Sequence, residues 1–88
     1  MRQIIFSKAF DKAAEKIGGY RAIDEALEVV MDGLMLNPYG FHKFENDWTS
    51  FRYVITQAVG TAPSLVFIFQ VLSDKDVELT HVELFEVG

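Results

Sequence analysis

Phe51-Arg-Tyr-Val-Ile-Thr-Gln57, Leu65-Val-Phe-Ile-Phe-Gln-Val-Leu72 and Val77-Glu-Leu-Thr-His-Val-Glu-Leu-Phe85 read as three consecutive β-strands. Each is rich in β-branched and aromatic residues, which fit a pleated, half-buried surface. The connections, Gly60-Thr-Ala-Pro63 and Ser73-Asp-Lys-Asp76, are of hairpin length. Three strands so joined predict an antiparallel meander. The middle strand is almost continuously apolar, which predicts burial on both faces. Helices would cover one face. A loop, the C-terminus or another chain would cover the other.

Upstream, the pattern changes. Gln3 to Phe6 is a short β-prone run, and Ser7 after it is a plausible N-cap. Phe10, Ala13, Ala14 and Ile17 then recur at helical spacing, with Asp11, Lys12, Glu15 and Lys16 off the stripe. Gly18-Gly19 ends this helix, because glycine takes the left-handed cap conformation without a Cβ clash. A second helix is predicted from Arg21 to Leu36, with Ile23, Leu27, Val30, Met31 and Leu34 as its apolar stripe and Ala26 beside it. Asp24 and Glu25 are expected near its positive end. Asn37-Pro38 stops it, since Pro38 drives the preceding residue out of the α region. Two helices on a Gly-Gly joint make an α-hairpin facing the sheet. The resulting expectation is one α+β domain over residues 1–88, with the helices on one face of a twisted antiparallel sheet.

Composition narrows the function. Half of the 88 residues are apolar and 14% are aromatic, too hydrophobic for disorder. Eight Phe, three Tyr and one Trp are many for this length, which suggests a shared surface as well as a private core. A net charge of −5 argues against general nucleic-acid binding, which rests on Lys and Arg against phosphates. With no cysteine, disulfides and thiolate metal sites are excluded. No apolar run reaches the roughly 18 residues of a membrane span. No signal-peptide pattern is read at the N-terminus, so a cytoplasmic setting is expected.

Few residues carry candidate chemistry. Alternation points Arg52 away from the face of Phe51 and Tyr53. Its planar, permanently charged guanidinium suits a phosphate or transition-state clamp. The alternative is a cross-strand ion pair with Glu78 or Glu83. Metal-free RNA cleavage needs an acid, a base and a cation at the phosphate, and histidine serves the first two near neutral pH. His42, Lys43, Arg52 and His81 compose such a set, although their spacing does not force them together. A half-buried structural role is the other reading of His81. Asp74 and Asp76 flank Lys75, but no Glu follows at calcium-loop spacing. They read as turn residues, and no metal or cofactor is assigned. Tyr39, Phe41, Phe44 and Trp48, with Phe51, form an aromatic group. It is either a lid on the core or an anchor for an apolar peptide.

This order of elements resembles the RelE/ParE-like toxins of bacterial toxin–antitoxin systems over nearly the whole chain. The resemblance is carried by the Asn37-Pro38 stop, the aromatic-flanked Arg52 and the short acidic turn before Val77 to Val82. It implies a toxin component similar to RelE-type ribosome-dependent mRNA endoribonucleases, metal-independent and active or weakened. Arg52 falls at the family's arginine position in that strand, and Lys43 stands for a lysine preceding it. The implied partners are an antitoxin-like protein or a second copy, and the implied target is ribosome-bound mRNA. The family's basic residue near the chain end would fall where His81, Glu83 and Glu86 stand. ParE-like gyrase inhibition, or a non-catalytic protein-binding domain, are the alternatives. Convergence of Lys43, Arg52, His42 and His81 on one positive patch would favour the enzyme. Acidic residues surrounding Arg52 would favour the binding domain.

Overall fold

The computed structural model describes residues 3–37, 40–43, 51–58, 60, 62–72 and 76–85, and the backbone alone of His42 and Lys43. The elements run β1 (Ile4–Phe6), α1 (Lys8–Ile17), α2 (Tyr20–Leu36), β2 (His42–Lys43), β3 (Phe51–Thr56), β4 (Leu65–Val71) and β5 (Val77–Leu84). The sheet order is β1-β5-β4-β3-β2. β3, β4 and β5 form the expected antiparallel meander. β1 pairs parallel with β5, Ile4 opposite Val77 and Phe6 opposite Leu79. Parallel strands need a crossover, and the α-hairpin lies on the path from β1 to the rest of the sheet. The two-residue β2 adds an edge strand the sequence did not suggest.

The helix ends follow from local chemistry. Ser7 has an extended backbone, and its Oγ accepts the Phe10 N–H at 3.0 Å. At the far end of α1, Gly18 sits at φ 121° and Gly19 at φ 85°. Their N–H groups donate to the carbonyls of Glu15 and Ala14. α2 starts at Tyr20, so Asp24 and Glu25 lie beyond its first turn, where the helix dipole fades. The expected dipole role for them is therefore corrected. Asn37 is extended, as the residue before a proline should be; Pro38 itself lies outside the described residues.

The core sits between the α-hairpin and one face of the sheet. Phe10, Ile23, Leu27, Val30 and Leu34 from the helices meet Leu65, Phe67, Phe69, Val77, Leu79 and Val82 from the strands. Ile17 and Met31 pack at its margin. The Phe10 ring lies nearly parallel to that of Phe67, with centroids 6.3 Å apart. β4 corrects the expectation of two buried faces. Leu65, Phe67 and Phe69 are fully buried, whereas Val66 and Ile68 between them, and Gln70 after them, are half-buried. A continuous apolar run here reflects one deep face and one shallow face.

Tyr20 joins the two helices. Its ring packs against Phe6 and Phe10, and its hydroxyl donates to Asp11 Oδ1. Partial burial, then the hydrogen bond and the negative charge of Asp11, push the phenol up to about 12. Each disfavours the phenolate. An unfolded tyrosine titrates near pH 10. Between about pH 10 and 12 the unfolded chain therefore holds fewer protons, and stability falls as pH rises. Tyr20 is 38% exposed, so solvent screens much of this effect. Denaturation midpoints followed from pH 9 to 12 should decline in the wild type and decline less in Tyr20→Phe. Parallel curves would exclude Tyr20 as the source.

Candidate functional site

Sheet register decides what the candidate residues can do together. Directly opposed residues on neighbouring strands share a face. Arg52 is opposite Phe69, Val54 opposite Phe67 and Thr56 opposite Leu65. Those partners are fully buried under the helices, so Arg52 belongs to the helix face. Its pointing away from Phe51 and Tyr53 is as alternation predicted, and that the face is the helix side comes from the register. Arg52 is half-buried, and its Nη1 donates to the carbonyl of Phe41 at 2.9 Å. The expected partners Glu78 and Glu83 are not beside it. β4 stands between β3 and β5, and Glu78 is opposite Gln70 on the other face. The cross-strand ion pair is therefore corrected, because β5 is not the neighbour of β3.

His81 lies on the opposite face, and the cause is a single extra residue. Ile68 pairs with His81 and Phe69 with Leu79, leaving Thr80 as a β-bulge. The Thr80 hydroxyl donates to the Ile68 carbonyl at 3.1 Å and helps to hold this kink. Simple alternation from Val77 and Leu79 would point His81 to the helix face. The bulge shifts the pattern by one, so Val82 is buried and His81 turns outward. There His81 Nε2 lies 3.7 Å from Glu83 Oε2, and both side chains are well exposed. Such surface pairs contribute about 0–1 kcal/mol.

His42 is opposite Tyr53 and Lys43 opposite Arg52 at the sheet edge. Register thus sets His42 level with Tyr53, Ile68 and His81, and Lys43 level with Arg52 and Phe69. Arg52 and His81 lie on opposite faces, and neither arrangement anticipated for Arg52 is found among the described residues. Tyr39, Phe44, Trp48, Asp74, Lys75 and Glu86 lie outside the described residues. Asp76 Oδ1 accepts the Gln3 N–H at 3.2 Å, tying the start of β1 to the last turn.

Of the aromatic group, Phe41 has a defined structural place. Its ring meets Phe69 edge-on, with centroids 5.5 Å apart. Its tip would lie 2.8 Å from a Cβ added at Gly33. Glycine in the body of α2 thus makes room for Phe41, whose carbonyl in turn receives Arg52. Of the two readings of Phe41, its packing supports the lid on the core. Gly33→Ala sets a helix-propensity gain of about 1 kcal/mol against roughly 1–3 kcal/mol of overpacking. Net destabilisation of about 1 kcal/mol is expected in urea denaturation, and a stabilised variant would show that the ring yields freely.

The chain has the fold of a chain in the intact E. coli RelBE toxin–antitoxin complex. The two are 16% identical, the match covers 97% of this chain and 98% of that one, and the TM-score is 0.67. The fold is RelE-like, as the order of elements implied. No protein-family model matches the sequence, and no curated protein matches it. At this identity the likeness is one of architecture, and function rests on the chain's own residues.

Proposed function

We propose that this chain is the toxin-like component of a toxin–antitoxin-like module in the cytoplasm, and that it acts by binding a protein partner. Its RelE-like scaffold would then not use Arg52 and His81 as a pair to cleave RNA. The observation that carries this reading is the separation of those two side chains. Arg52 is engaged with the Phe41 carbonyl on the helix face, and His81 stands beside Glu83 on the outer face. A phosphate held by one of them is not within reach of the other across the thickness of the sheet. The acidic balance of the chain, −5, supports the same reading. The similarity to a chain of a toxin–antitoxin complex supports a partner protein.

Co-expression tests the module directly. The chain is produced together with the small protein encoded beside its gene, and the two are purified by a tag on one. A stoichiometric complex that persists through gel filtration is expected, with dissociation in the nanomolar range. Recovery of the tagged chain alone, or as a homodimer that ignores the neighbour, would contradict the module. A second reading, mRNA cleavage on the ribosome, is favoured by the RelE-like fold and is tested separately below.

A further inference from the structure

β5 is longer than the strand that flanks it. β1 pairs with it from Val77 to Leu79, and the Ser7 N–H donates to the Leu79 carbonyl at 3.1 Å. The chain then turns into α1, so among the described residues no strand pairs with the β1 side of β5 beyond Leu79. On the other side, the Phe85 N–H donates to the Ser64 carbonyl. The N–H and C=O groups of successive strand residues point to opposite sides. Those of Glu83 therefore point toward β4 with Phe85, and those of Val82 and Leu84 point to the open side. Such an edge is a template for another strand. Between it and Ala13, Lys16 and Ile17 of α1 lies a void of about 560 Å³.

The side chains along this edge complement themselves. His81 and Glu83 lie on the outer face, with side chains 44% and 59% exposed. Val82 and Leu84 are opposite Phe67 and Leu65, so they lie on the helix face. Consider two copies paired antiparallel about a two-fold axis that sets Val82 against Val82. The outward N–H and C=O of the two valines form a hydrogen-bonded pair. His81 of each copy falls opposite Glu83 of the other, on one face and at the closer spacing of a non-hydrogen-bonded pair. Imidazole and carboxylate then alternate along the strands and across them, and like groups meet only on the diagonals. Moving the axis to Glu83 would set the two Glu83 carboxylates face to face, which is destabilising. Leu84, 48% exposed, would lie opposite Thr80 of the other copy, on the side of the void lined by Ala13 and Ile17.

We propose that the open edge of β5, centred on Val82, is where two copies of this chain meet, joining their sheets into one with the helices of both on the same side. An isologous contact requires a surface that complements itself, and the order His81-Val82-Glu83 on an open edge meets that requirement. The contact is short beside the roughly 800 Å² per partner of a standard interface, so a reversible dimer in the micromolar range is expected. The inference concerns the chain alone and is independent of the partner protein proposed above.

Sedimentation equilibrium of the purified full chain, from micromolar to millimolar concentration, tests it. A monomer–dimer equilibrium is expected. His81→Glu places four carboxylates together and should weaken the dimer about tenfold or more. The double variant His81→Glu with Glu83→His exchanges the two positions and should restore it. Leu84→Pro removes an N–H that points away from β4, and should leave a folded monomer. These positions are exposed, and circular dichroism checks that each variant is folded. In the wild type, amide hydrogen exchange at Val82 and Leu84 should slow as concentration rises. The proposal is overturned by a monomer throughout the range, or by a dimer that His81→Glu leaves unchanged. It is equally overturned if the double variant is as weak as His81→Glu, or if protection on dimerisation appears elsewhere and not at Val82 and Leu84.

Discussion

Phe67→Ala is expected to lower stability by about 3–5 kcal/mol, the usual range for truncating a buried phenylalanine. Phe67 is fully buried at the centre of β4, the central strand. It is opposite Val54 on one side and Val82 on the other, and its ring packs on Phe10 of α1. Alanine would remove contacts to both layers at once. The cavity would lie between a helix and three paired strands, where collapse is difficult. Domains of this kind hold about 5–15 kcal/mol in total, so the loss is a large share. Urea denaturation measures it, with Ile68→Ala as the comparison. Ile68 is the half-buried neighbour on the shallow face, and its truncation should cost clearly less. Equal losses would show that the outer face is as deeply covered as the helix face.

Leu27→Ala is expected to cost about 2–5 kcal/mol. Leu27 is 5% exposed and lies in the middle of α2, on the stripe with Ile23, Val30 and Leu34. Alanine favours the helix itself by only a few tenths of a kcal/mol or less relative to leucine, so lost packing dominates. The same denaturation experiment reads it. A loss under about 0.5 kcal/mol would mean that the stripe does not face the sheet.

These two residues also mark how far sequence could see. Leu27 was legible because helical periodicity is local, and so were the Ser7 cap and the Gly18-Gly19 joint. The meander was legible because β-rich runs alternate with short turns. β2 was not, because two residues carry no period. The register between strands was not either, since pairing is set by contacts far apart in the chain. Thr80 is the telling case. Nothing in Val77-Glu-Leu-Thr-His-Val announces a bulge, yet that one residue decides whether His81 shares a face with Arg52. The seat of Phe41 against Gly33 left no signal, because it needs the tertiary fold to bring the two together.

The central claim is that a RelE-like fold is present without Arg52 and His81 acting on one phosphate. Primer extension on a defined mRNA, translated in a reconstituted system with the purified chain added, tests it most directly. No new 5′ ends relative to the untreated reaction are expected. New ends would contradict it if Arg52→Ala and His81→Ala, each shown by circular dichroism to be folded, lowered the cleavage by about 10²–10³.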